Sequence, residues 1–223
     1  MTKFLGLIFS VVVLAVSLPG RAAELVYYWD FNGDLPAALS PTIGSGGAGI
    51  LYTGVGAVSL SQGTGTEVNR YESYAAGKSL AFVDLADAFR VNEITFAALD
   101  FSLKTDVVMT VAVRSTGFFS ALESFTYQYR VSPSDSWSAA VNWAFKPSAE
   151  WQVLTLDFSS ALNLSSNAQI RLVSTALFDA GEVLQFDNVQ ITAVPEPGAL
   201  GLLGVGVLVL TRRRHRRRVA EVD

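Results

Sequence analysis

An all-β domain, an antiparallel β-sandwich most simply arranged as a jelly roll, is the fold class this 223-residue sequence predicts. Three observations predict it. Short runs alternate apolar and polar residues with a period of two. Polar or glycine-rich turns such as "VSPSDSW", "KPSAE" and "NLSSN" separate those runs. No stretch of the body sustains a 3.6-residue period between helix caps, and no fixed repeat points to a propeller or solenoid.

The elements follow in order from Leu25. "LVYYWDF" sets Leu25, Tyr27, Trp29 and Phe31 on one face and Val26, Tyr28 and Asp30 on the other. The section from Ile43 to Gly65 is glycine-rich and reads as long loops over one edge of the sandwich. "KSLAFVDL" reads as a strand, and "VDLADAFRV" as a helical turn or a strand edge with a loop. "ITFAALDFSLK" and "VVMTVAVRS" are the next strand-like runs. "SFTYQYRV" alternates most cleanly, with Phe125, Tyr127, Tyr129 and Val131 opposite Thr126, Gln128 and Arg130. "WQVLTLDFS", "QIRLVS" and "EVLQFDNVQITAV" complete eight to ten expected strands.

Two terminal segments stand apart from this domain. Residues 1–23, "MTKFLGLIFSVVVLAVSLPGRAA", have a basic Lys3, an uncharged core from Phe4 to Leu18, a Pro19-Gly20 break and small residues at Ala22 and Ala23. That pattern is a secretory signal peptide cleaved near Ala22 or Ala23, and it implies passage through the Sec machinery. The second segment, Pro197 to Thr211, covers roughly 22 Å as a helix, against a hydrocarbon core of about 30 Å. Arg212, Arg213, Arg214, Arg216, Arg217 and Arg218 follow it, able to snorkel and to hold the C-terminus on the cytoplasmic side. A single C-terminal transmembrane helix is therefore expected, with the body, residues 24–193, outside.

Charge separates the same parts. The net charge is −4, yet between Glu24 and Val194 there are 8 Lys+Arg against 17 Asp+Glu, a net of −9. So acidic a body is a poor partner for nucleic acid, which is bound through cationic contacts to phosphate. The chain has no cysteine, so a hydrophobic core rather than disulfides must hold an exported domain together.

"VPEPG" at Val194–Gly198, the short glycine-rich apolar run and "RRRHRRR" together resemble a PEP-CTERM sorting signal over residues 194–218. The resemblance implies recognition by exosortase, a membrane-embedded transpeptidase-like enzyme of Gram-negative bacteria, with Pro195, Glu196 and Pro197 as the recognition triplet. Proline resists helix and strand, so the triplet is expected to be extended and accessible just outside the membrane. In the body, "YYWDFNG", "VAVRSTGFFSALESFTYQYRVS" and "FDNVQITAV" resemble extracellular bacterial jelly-roll domains of laminin-G-like or carbohydrate-binding-module-like type. That implies a fold more than an activity.

Candidate sites are few. The one histidine, His215, lies among the tail arginines, so the body holds neither a Ser-His-Asp triad nor a His-based zinc site. Catalysis would rest on carboxylate pairs such as Asp84 with Asp87 or Glu93 with Asp100, and solvated surface acids account for them more simply. "GSGGAG", Gly44–Gly49, matches a dinucleotide fingerprint in letters alone, because turn residues precede it and a strand pattern follows. "DFNGD" places Asp30, Asn32 and Asp34 like the start of a calcium loop, without the glycine and glutamate an EF-hand needs. A looser structural calcium site joining Asp30 to Asp187 or Asn188 is set against a plain Asx turn, which is favoured. No other cofactor is expected. Trp137 and Trp143 lie beside polar loops and are the candidates for stacking on polysaccharide, against the alternative that they pack the sandwich edge. The sequence thus favours an exported, non-enzymatic surface or matrix protein with a structural or adhesive role, and a lectin-like module as the alternative.

Overall fold

The computed structural model describes residues 22–44, 47–54, 59–83, 88–116, 124–143, 146, 148–178 and 183–196. Among them are eleven strands: β1 (Glu24–Trp29), β2 (Gly49–Gly54), β3 (Ser59–Thr64), β4 (Lys78–Val83), β5 (Ala88–Leu99), β6 (Lys104–Thr116), β7 (Ser124–Arg130), β8 (Val141–Asn142), β9 (Gln152–Asp157), β10 (Ala168–Phe178) and β11 (Val183–Pro195). One 3-10 turn, Ala37–Leu39, is the sole helical element described.

The strands form two antiparallel sheets. One runs β3-β4-β11-β6-β9 with β1 added beside β11; the other runs β2-β5-β10-β7-β8. The chain crosses between sheets at every connection except β3 to β4 and β7 to β8. The nesting β4-β11-β6-β9 over β5-β10-β7-β8 is the jelly-roll topology. The sandwich is as the period-two pattern predicts. The section from Ile43 to Gly65 is not loop throughout, however, because β2 and β3 lie within it and pair along β5 and β4. Both are short edge strands whose glycines hide their alternation.

Between the sheets lies an aromatic core. Trp29 meets Phe96 edge to face at 5.1 Å, Tyr127 and Tyr129 meet Phe158 likewise, and Met109, Ile170 and Ile191 are fully buried around them. Burial on this scale, about 25 cal/mol per Å² of apolar surface, takes the place of disulfides. Tyr27, Trp29 and Phe31 face this core as expected, but Leu25 does not lead them. A bulge between Leu25 and Tyr27 shifts the register, so Val26 packs inward instead. The run "ITFAALDFSLK" also breaks: β5 ends at Leu99, and residues 100–103 turn into the opposite sheet.

β11 changes partner along its length. Val183–Phe186 pairs with β4, and Val189–Ala193 pairs with β1. At the change the ladder with β6 is irregular between Asp187 and Gln190, and Asn188 takes φ 46°. A loop from Gly65 to Gly77, closed by the Gly65 N–H on the Gly77 carbonyl, covers the outer face there. Gly65 is required, since a Cβ would lie 2.8 Å from both the Asp187 carboxylate and the Lys78 carbonyl.

Residues 1–21 and 197–223 lie outside the described residues, and with them nearly all of the expected signal peptide, the apolar run, Pro197 and the six tail arginines. Among the described residues no helix is long and apolar enough to cross a membrane.

Candidate functional site

The outer face of the β5-β10-β7 sheet carries a polar network built by alternation. Register sets Arg171 between Thr95 and Gln128, with Gln169 beside Arg130. Arg171 donates from Nε and Nη2 to Gln128 Oε1 at 3.0 and 2.7 Å and from Nη1 to Glu93 Oε2 at 3.0 Å. Thr95 donates to the other Glu93 oxygen, and Arg130 Nε donates to Gln169 Oε1 at 2.7 Å. Over this surface the turn after β7 lays Trp137, half-buried, with the Arg130 and Arg171 guanidinium carbons 4.4 and 4.3 Å from its ring centre. Gln128 Nε2 fastens that turn through the Ser138 carbonyl at 2.5 Å. Such a constellation can bind a polar ring compound by stacking and hydrogen bonding.

The two sequence-nominated tryptophans part company here. Trp143 is buried against Phe125 and Phe186 inside the sandwich, so it offers no platform. Its neighbour in sequence, β8, pairs with β7 and carries it inward. The polar letters around it do not announce this.

The second candidate, Asp30 with Asp187, sits where β11 changes partner. Asp187 is 1% exposed and accepts the Thr66 N–H on Oδ2 at 2.7 Å and the Asn188 N–H on Oδ1 at 2.8 Å. Burial pushes its carboxyl up to about 7 against the pull of those two N–H groups, with the Asp30 charge a lesser upward push. Asn188 accepts from the Tyr28 hydroxyl at 2.5 Å and donates to the Thr66 and Val68 carbonyls at 2.6 and 2.9 Å. Asp30 Oδ1 takes the Asn32 N–H and the Thr42 hydroxyl, the Asx turn expected for "DFNGD". The residues thus fit a calcium ion poorly: three of the four carboxylate oxygens of Asp30 and Asp187 already accept protein donors, and among the described residues no three acidic or histidine side chains converge.

The carboxylates Glu93 and Asp100 are not brought together either. Glu93 faces solvent with Arg171, while Asp100 lies seven residues on, roughly 20 Å along the strand direction, where it accepts the Ser102 N–H. That is beyond the separation of about 5–10 Å used in glycoside hydrolysis. Asp84 and Asp87 lie outside the described residues.

The third region is the C-terminal exit. Val194 and Pro195 still pair with Thr105 and Lys104, and the Glu196 N–H donates to the Leu103 carbonyl at 2.8 Å. The start of the triplet is therefore extended, as expected, but half-buried and stitched to the sandwich rather than free of it. A family model described as the PEP-CTERM protein-sorting motif matches residues 193–218. The tail is a PEP-CTERM sorting motif.

That sorting motif overlaps the last residues of β11, so fold and signal share Ala193 to Pro195. No curated protein sequence matches the chain. Among solved structures, the chain is similar to the tailspike protein 4 enzymatically active domain of bacteriophage CBA120, at 9% identity and TM-score 0.47, over 66% of this chain and 19% of that one. It is similar to the N-terminal endo-1,4-beta-D-xylanase 10B CBM22-1–GH10 modules of Clostridium thermocellum complexed with xylohexaose, at 16% identity and TM-score 0.46, over 77% of this chain and 29% of that one. The chain thus spans less than a third of either structure. It is also similar to the CBM22-1 xylan-binding domain of Paenibacillus barcinonensis Xyn10C, at 19% identity and TM-score 0.43, over 79% of this chain and 99% of that one.

Sequence reasoning missed the clamp of Trp137 by Arg130 and Arg171, and it missed the network joining Tyr28 and Asn188 to the Thr66 and Val68 carbonyls. The first had a signal, because "TYQYR" and "QIRLVS" each place an arginine on a polar face. The second had little, since it depends on a loop folding back over "FDNVQ".

Proposed function

We propose that the chain is an exported, non-enzymatic protein of the cell surface or extracellular matrix, carried through Sec, sorted by exosortase and serving there in a structural or adhesive role. The observation that carries this reading is the PEP-CTERM motif over residues 193–218, which begins inside the last strand of the domain. The signal-peptide pattern at the other end of the chain supports the same route. The C-terminal apolar run would anchor the protein in the membrane before processing. Fractionation of producing cells tests this: the body should be recovered from the envelope or the medium, shortened when exosortase is present. Recovery of the intact chain in the cytosol with its leader attached would overturn it.

A second reading is recognition of polysaccharide, and one observation favours it. Trp137 is part-exposed beside Gln128, Glu93 and Arg171, an indole among hydrogen-bonding side chains, as sugar rings require. Affinity electrophoresis against a panel of polysaccharides should show retardation that falls about tenfold or more in Trp137→Ala, the size expected when a central aromatic contact is lost. Retardation by none of them, or unchanged by the substitution, removes this reading and leaves the first intact.

A further inference from the structure

The pole from which the tail leaves carries two exposed leucines that nothing in the domain explains. Leu103 is 73% exposed and Leu164 is 55% exposed. They sit on adjoining turns: the Leu164 N–H donates to the Lys104 carbonyl at 3.0 Å, and the Phe101 N–H to the Ser165 carbonyl at 2.6 Å. Leu164 also holds φ 60°, a conformation that glycine or asparagine adopts cheaply and a leucine does not. Neither backbone preference nor burial within the domain selects leucine there. A strained backbone displaying an apolar side chain points to a covering surface outside the domain.

The chain itself says which surface. Glu196 is hydrogen-bonded to the Leu103 carbonyl, and the apolar run starts at the next residue, Pro197. No linker separates the leucine-bearing turns from that run. The N-terminal end meets the same pole, since Glu24 pairs with Ala193 and its carboxylate engages Lys104. Both hydrophobic segments of the unprocessed chain therefore join the domain at one end.

We infer that this pole, with Leu103 and Leu164 at its tip, is the lipid-facing end of the domain and rests in the interfacial layer of the bilayer that holds the tail. The inference depends on the tail entering a membrane, as the proposed function has it. Its acidic side chains, Glu24, Asp100, Asp106 and Glu196, outnumber Lys104, which pairs with Glu24, and this acidic excess suits a zwitterionic rather than an anionic surface.

The cysteine-free sequence makes the test direct. Single cysteines replace the exposed Ser102 and Ser166, beside the two leucines, and the exposed Thr116 at the far end of β6, twelve residues and roughly 40 Å away. Each is labelled with a polarity-sensitive dye in the chain with its tail intact, reconstituted into phosphatidylcholine vesicles bearing a doxyl-labelled lipid. Quenching at the Ser102 and Ser166 sites should exceed that at Thr116 by about threefold or more, as for groups seated in the interface. Leu103→Ser combined with Leu164→Ser should return it to the Thr116 level without changing flotation with vesicles. Equal quenching at all three sites, or quenching indifferent to the double substitution, would overturn the inference. A chain that fails to float would overturn the membrane reading of the tail itself.

Discussion

The outer faces of the two sheets solve the same problem in opposite ways. On the sheet containing β11, the loop from Gly65 to Gly77 folds over polar residues and seals them: Asp187 and Asn188 are each 1% exposed. On the sheet containing β10, Arg171, Glu93, Gln128 and Trp137 form a comparable network left open to water. Hydrogen bonds net about 1 kcal/mol each wherever they form, but an unmade one costs far more where water cannot replace the partner. The covered network is therefore a determinant of the fold, and the open one is free to serve a ligand.

The largest expected effect lies in the covered region. Asn188→Ala removes the acceptor of the Tyr28 hydroxyl and both donors to the Thr66 and Val68 carbonyls, and puts alanine at φ 46°. A loss of about 3 kcal/mol or more in urea unfolding is expected, against about 1 kcal/mol or less for Gln128→Ala on the open face. Similar losses for the two would erase the distinction between the faces.

The next effect is a pH dependence. The Asp187 carboxyl is raised from 3.8 to about 7 by burial, so between those values the folded state holds a proton that the unfolded state has released. Stability must then fall as pH rises from about 4 to about 7 and level off above that, the reverse of the usual paired carboxylate. Thermal melts across that range in EDTA should show the decline, and Asp187→Asn should flatten it from a lower starting point. Millimolar calcium should leave the profile of the native chain unchanged. A calcium-dependent rise in Tm at neutral pH would instead restore Asp30 and Asp187 as ligands.

Local pattern revealed one face and concealed the other. "SFTYQYRV" was legible because its outward residues stay outward: Gln128 and Arg130 meet water, and Phe125, Tyr127 and Tyr129 meet the core. "LVYYWDF" was half legible. Its alternation places Tyr28 outside, which is geometrically correct, yet Tyr28 is fully buried because Tyr71 and Tyr74 close over it. Trp137 and Trp143 sit in similar polar surroundings and end on opposite sides of the sheet. Period-two reading reports which side of a strand a residue takes, and it is blind to what a distant loop lays on top. The C-terminal signal was more legible than either face, since sorting reads contiguous residues and needs no fold to bring them together.

The smallest effects sharpen the contrast within ion pairs. Arg171 and Glu93 are each about three-quarters removed from water and pair at 3.0 Å within the open network. A double-mutant cycle on them should give coupling of about 1 kcal/mol, the upper end for a partly exposed pair. Lys78 and Asp34 pair at 2.5 Å beside the covered loop, but the Asp34 side chain is 90% exposed. Lys78 holds that carboxyl below its ordinary value, yet full solvation screens the pair, so the same cycle there should show almost no coupling and none in about 1 M salt. If the exposed pair proved the stronger, closeness rather than removal from water would be ranking these contacts. The covered network could then no longer be set above the open one on burial alone.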